Sequence, residues 1–211
     1  MAGSSFGKSF VVTTFGESHG VALGAIVDAG IELSEEDIQK FLDRRKPGQS
    51  SVTTSRNEND KCRIYSGVFG GKTTGTPIMV MLENQSQRSQ DYDELAITYR
   101  PGHADFSFDS KFGFRDYRGG GRSSGRETIG RVIGGAIAIK ALEMLGIKVQ
   151  AFTQSIGNIY AENFNLEECS ENDVYMPDNE AAAKAVELIK KAKEEKDSLG
   201  GIIGCIATGV M

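Results

Sequence analysis

Only two histidines occur in the 211 residues, His19 in FGESHG (Phe15 to Gly20) and His103 in RPGHAD (Arg100 to Asp105). Imidazole is the side chain best suited to moving protons near neutral pH. Both rings stand among small or polar residues in glycine-bearing loops, and Arg100 and Asp105 flank the second. Each is a candidate for proton transfer, with plain packing as the alternative. The first motif has another reading, because Gly16-Glu17-Ser18-His19-Gly20 fits G-x-S-x-G and would make Ser18 the nucleophile of a serine hydrolase. That elbow joins a strand to a helix, whereas β-rich runs stand on both sides here and no HGGG-type oxyanion element is present. The hydrolase stays as the lesser alternative.

The strongest local signal for anion chemistry is RDYRGGGRSSGRETIGR (Arg115 to Arg131), with five arginines against Asp116 and Glu127. Glycine-rich backbone running into a helix start offers free N–H groups and the positive end of a helix dipole. Two serine hydroxyls and forked guanidinium donors lie close by in sequence. Arg122 and Arg126 are four residues apart, a spacing that predicts one helical face gripping one ligand. No G-x-x-x-x-G-K-[ST] occurs, and a helix pattern follows directly, so neither a P-loop nor an R-G-G tail is indicated. A phosphate or carboxylate ligand fits best; a solvated basic loop is the alternative.

These segments must be held by a frame, and the pattern predicts one. Ser9 to Phe15 and Val21 to Val27 are β-rich, which makes FGESHG a strand-to-strand connection. Ser34 and Asp37 form a capping-box-like start for a helix EEDIQKFLDRR, ended by Pro47-Gly48. Arg44, Arg45 and Lys46 then crowd its C-terminal end, where cations suit the dipole. Arg63 to Phe69 and Pro77 to Leu82 predict a hairpin across GGKTTGT, and residues 84–122 read as irregular. A long helix is expected from about Ser124 to Leu145, with Ile129, Ile133, Ala136 and Ile137 on its apolar face. A strand from Gln150 to Ile156, a helix N-capped by Asp178 and a strand from Gly201 to Ala207 follow. Strands and helices interleave while hairpins dominate, so the fold class expected is α+β with antiparallel sheets.

Composition narrows the partners. With 24 basic against 29 acidic residues, a general nucleic-acid binder is disfavoured. The balance is uneven: 19 basic and 18 acidic residues precede Asn158, and 5 and 11 follow from it, so an anion site belongs in the first part. Three scattered cysteines, Cys62, Cys169 and Cys205, suggest neither a disulfide framework nor a zinc site. No run reaches the ~18 apolar residues of a membrane span and the start lacks a signal-peptide core, so a cytoplasmic protein is expected.

Taken in order, FGESHG, DRRKPGQSS, SGVFGGKTTGTPI, RSQDY, RPGHAD and RDYRGGGRSSGRET resemble the chorismate synthase family, across essentially the whole chain. The resemblance implies a shikimate-pathway lyase that converts 5-enolpyruvylshikimate 3-phosphate to chorismate by 1,4-anti elimination of phosphate. It implies dependence on reduced FMN, with NADPH in relatives that reduce their own flavin. It also implies a homotetramer of a pseudo-symmetric sandwich of antiparallel sheets flanked by helices. On that basis residues 1–211 are expected to form one domain that stops short of the family's C-terminal part. By motif, His19 resembles the acid that protonates the departing phosphate, and Ser18 a substrate-binding partner beside it. His103 resembles the residue that protonates or orients the reduced flavin. Arg122, Ser123 and Ser124 resemble the FMN-contacting stretch. Arg45, Arg100 and Arg126 resemble substrate-clamping arginines, and the Arg45 position is linked to NADP. Two departures stand out: a shortened turn at Asp28-Ala29-Gly30, and Ser51 where many relatives carry arginine. A non-catalytic anion-binding or assembly fragment is the rival reading.

Overall fold

The computed structural model describes residues 3–48, 60–84, 95–118 and 120–210. RSQDY and Ser51 lie outside the described residues. The chain forms two compact units. The first comprises the described residues up to Lys46 and from Asp60 to Ala141; the second comprises Pro47, Gly48 and the described residues from Leu142 onward.

The first unit is built on an antiparallel five-stranded sheet. Its strands are β1 (Ser5–Phe6), β2 (Val12–Gly16), β3 (Ala22–Val27), β4 (Cys62–Ile64) and β7 (Ile78–Glu83), in the order β1-β2-β3-β7-β4. Register aligns Val12 with Val27 and Ile78, Thr14 with Ala25 and Val80, and Gly16 with Leu23 and Leu82. Residues opposite one another share a face, and this one is the core face. Helix α1 (Glu35–Arg45) contributes Ile38 and Leu42, and α3 (Thr128–Glu143) contributes Ile129, Ile133 and Ile137, to one cluster with that face. The predicted box closes α1: Asp37 N–H donates to Ser34 Oγ at 3.4 Å, and Ser34 N–H to Asp37 Oδ2 at 2.9 Å.

The hairpin expected over 63–82 is β4 paired with β7. Its connection holds a second small hairpin, β5 (Val68–Phe69) with β6 (Lys72–Thr73). Two expectations are corrected. Residues 84–122 contain a helix, α2 (Asp105–Phe112), which ends on Gly113 at φ +73°. Only Asp105 of its eight residues is buried, so it carries no apolar stripe by which to read it. The helix expected from Ser124 begins at Thr128, after 3₁₀ turns at Gly121–Ser123 and Gly125–Glu127. Ser124 is extended between them and its side chain accepts from Arg126 N–H, which breaks the helical path. Arg122 and Arg126 therefore do not share a helical face.

The second unit pairs β8 (Lys148–Ile156), β9 (Ile159–Tyr160) and β10 (Gly201–Thr208) in the order β10-β8-β9. Helix α4 (Asn179–Glu194) has the predicted Asp178 cap, which accepts from Ala181 N–H at 2.9 Å. Its alanines pack with Val174 and Met176 in a separate small core. Among the described residues no helix is long and apolar enough to cross a membrane.

Helix α3 approaches the first sheet closely because two of its contact positions are glycines. A Cβ on Gly130 would lie 2.6 Å from Thr14 Cγ2 and 2.9 Å from Gly24 O, and one on Gly134 would lie 2.9 Å from Val12 Cγ1. Gly135, on the exposed side, has nothing within 4 Å. Gly130→Ala is expected to cost about 1–3 kcal/mol by overpacking. Gly135→Ala is expected to gain about 0.5–1 kcal/mol from helix propensity. Equilibrium urea unfolding of the two variants checks the contrast.

Candidate active site

The turn between β2 and β3 carries Ser18 and His19, both buried at 6% and 3% exposure. Gly16 enters it at φ +85°, where a Cβ would lie 2.2 Å from Ala22 O, so no other residue fits. Gly20 N–H donates to Glu17 O at 3.1 Å and closes the turn. Ser18 Oγ lies 3.1 Å from His19 Nδ1. Because the turn joins two antiparallel strands with no helix after it, Ser18 lacks the setting of a nucleophile elbow. From outside, the Asn84 carboxamide donates to Glu17 O at 3.0 Å and to Gly20 O at 2.8 Å. Asp116 lies near enough to feel His19: burial opposes its ionisation, but hydrogen bonds from Arg118 and the charges of Arg118 and His19 bring its carboxyl below the ordinary value.

His103 sits in the turn before α2, held by a carboxylate. Asp105 Oδ1 is 3.0 Å from His103 Nδ1 and accepts from Arg100 Nη2 at 2.8 Å, while Oδ2 accepts from Arg100 Nε at 2.9 Å and Arg100 N–H at 3.0 Å. The hydrogen bonds from Arg100 hold the Asp105 carboxyl far below the usual carboxylate range. The far edge of the ring meets backbone: a Cβ on Gly120, at φ +91°, would lie 2.9 Å from His103 Nε2. Gly120, Gly121, Ser123 and Arg122 line a cleft of about 260 Å³ together with Asp105, Phe108, Arg115, Asp116 and Glu17. Glu17 adjoins Ser18 and Asp105 begins α2, so the loops bearing the two histidines meet at one cleft.

The arginines divide into three groups. Arg122 turns toward β2: Nη1 is 3.1 Å from Gly16 O and 2.8 Å from Glu127 Oε2, and Nη2 is 2.9 Å from Thr14 Oγ1 and 3.0 Å from Ser4 Oγ. Arg126 and Arg45 converge on one carboxylate, with Arg126 Nη2 2.7 Å from Asp60 Oδ1 and Arg45 Nη1 2.8 Å from Asp60 Oδ2. Arg100 stays with His103. Ser123 Oγ donates to Gly120 O at 2.7 Å and Ser124 caps the second 3₁₀ turn. Asp60, Asn84, Thr14 and Glu127 escaped the sequence reading. Each is an ordinary polar residue within a strand, turn or loop, and only its distant partner gives it a role. Among the described residues no group of three or more His, Cys, Asp or Glu is placed to hold a metal ion.

The Asp105 cluster makes a pH-dependent contribution whose sign is fixed. The folded carboxyl is more acidic than the unfolded one, so its stabilisation is complete above the unfolded value near 4 and is lost as pH falls through the lower folded value. Asp105→Asn is expected to lose roughly 1–3 kcal/mol at neutral pH, discounted for the partial exposure of Arg100. The gap from the parent protein should narrow as pH drops below about 4, read from urea midpoints across the acid range.

The same geometry occurs in a chain with clear relatives. A family model described as chorismate synthase matches residues 10–211. The chain is 59% identical to the chorismate synthase of Agathobacter rectalis and 56% identical to that of Lachnospira eligens, in each case over 100% of its own length. It spans 59% of the length of each of these relatives. A crystal structure of chorismate synthase superposes with a TM-score of 0.74 at 31% identity, covering 96% of this chain and 58% of that one. The chain belongs to the chorismate synthase family.

Proposed function

We propose that this protein takes part in the conversion of 5-enolpyruvylshikimate 3-phosphate to chorismate by 1,4-anti elimination of phosphate, as a cytoplasmic homotetramer whose single domain includes both units. The observation that carries the reading is the buried Ser18–His19 pair, tied through Asn84 and Arg126 to a group of two guanidiniums that share the single carboxylate of Asp60. Guanidiniums gathered at one place offer forked donors, which suit a substrate bearing two carboxylates and a phosphate. His19 gives a proton to the leaving phosphate oxygen, and Ser18 hydrogen-bonds the substrate. Arg45, Arg126 and Arg100 orient its anionic groups.

Reduced FMN, when bound, supplies electron density that eases phosphate departure; NADPH is the reductant where a relative regenerates its own flavin. The residues fit one edge of such a group. Gly120, lacking a Cβ, lets the His103 ring lie against its backbone beside the cleft, whose volume of about 260 Å³ is smaller than the ~300–1,000 Å³ of whole ligand pockets. His103, Ser123 and Ser124 would hold that edge, and Arg122 holds their turn against β2. Asp105 and Arg100 hold the His103 ring at Nδ1, 3.0 and 3.2 Å away, and a ring kept in one orientation would protonate or orient the reduced flavin.

His19→Asn is expected to lower kcat by about 10²–10⁴-fold with little change in KM, measured as chorismate absorbance with reduced FMN under anaerobic conditions. Unchanged turnover would remove His19 from the chemistry. A non-catalytic anion-binding fragment would instead accept inorganic phosphate irrespective of flavin, whereas the lyase should bind substrate and flavin co-dependently in calorimetry.

A further inference from the structure

We infer that Asn84 is the positioning residue of the Ser18–His19 turn and couples that turn to the Arg126–Asp60–Arg45 group; its catalytic consequence rests on the reading of His19 as the acid. The argument begins with backbone. Asn84 N–H donates to Val21 O at 3.0 Å, one step beyond the Ala22–Glu83 pair of the β3–β7 ladder, so the residue stands on a fixed strand end. From there its carboxamide nitrogen reaches both ends of the turn, Glu17 O at 3.0 Å and Gly20 O at 2.8 Å. Its oxygen accepts from Arg126 Nε at 2.9 Å. Carbonyls only accept and a guanidinium only donates, so this amide orientation alone satisfies all three partners.

No other side chain supplies that set. Aspartate has the oxygen for Arg126 but no donor for the turn, leucine has neither, and glutamine is one methylene too long. The turn holds Ser18 and His19 between the two carbonyls that Asn84 grips, so their placement is set from β7. Arg126 extends the path: it is 8% exposed, and its 2.7 Å contact with Asp60 leads to Arg45. Charge arriving at those arginines is thus felt, through one carboxamide, at the turn bearing the proton donor. Misplacement of a reacting group by about 1 Å costs on the order of 10²-fold in rate, which is the scale at stake.

The sequence has two histidines, and this makes the test direct. In protein labelled with ¹⁵N-histidine, His19 and His103 give separate imidazole signals, the second an internal control. Asn84→Asp should shift and broaden the His19 signals and leave those of His103 in place. With reduced FMN and substrate, kcat should fall about 10- to 100-fold while KM changes by less than about twofold. Arg126→Lys, which keeps a cation for Asp60 but loses the Nε bond to Asn84, should move the His19 signals in the same direction by less. If Asn84→Asp fails to fold, both histidines take random-coil shifts and Arg126→Lys decides by itself. Unchanged His19 signals in either folded variant overturn the inference. Absence of turnover in the parent protein would instead sink the proposed reaction, and the imidazole comparison would still decide the positioning role.

Discussion

A guanidinium withdrawn from water must be met by carboxylates or carbonyl oxygens, and among the described residues of the first unit three such meetings join the candidate site residues, beside that of Arg115 with Asp109, Leu95 O and Thr98 O. Asp60 takes Arg45 and Arg126, Asp105 takes Arg100 and the His103 ring, and Glu127 takes Arg122. Pairs of this kind add little net stability, since desolvation offsets attraction. Their effect is geometric: separating either partner strands a charge, so each pair holds its segments in one arrangement. Irregular loops thereby gain the fixed positions that regular hydrogen bonding does not give them.

Packing makes the third meeting possible. Gly130 and Gly134 let α3 lie against Val12 and Thr14, and the residue just before the helix, Glu127, then reaches Thr14 Oγ1 at 2.6 Å. Arg122 closes on the same threonine, so the turn after the glycines is pinned to β2. A larger residue at either glycine would lift the helix and with it the ion pair. Close approach, ion pairing and the placement of the His103-facing backbone are successive consequences of small side chains in one helix.

Much of the frame was legible from residues alone. Ser34 with Asp37 and Asp178 announced two helix starts, because a cap is a local bond between neighbours. The β-rich run VALGAIV and the hairpin arm ending in IMVML read as strands, and they are β3 and β7. Helix α2 was invisible, because Phe106, Phe108 and Phe112 form no buried stripe and its one buried residue is a charged aspartate. The four-residue spacing of Arg122 and Arg126 misled for a related reason: it assumes a helix, and the extended Ser124 between them sends one guanidinium to β2 and the other to Asp60.

The motifs SHG, RPGHAD and GGGRSS, their order, and the capped and β-rich segments between them were determined by the sequence itself, since each is written within a few consecutive residues. Tertiary structure decided which carboxylate neutralises which arginine and which amide holds the histidine turn. Arg45 meets Asp60 across 15 residues, Arg126 meets Asn84 across 42, and Thr14 meets Glu127 across 113. No periodicity spans such distances; the partners are selected only when the sheet and α3 close on each other and exclude the water that would otherwise satisfy each charge alone.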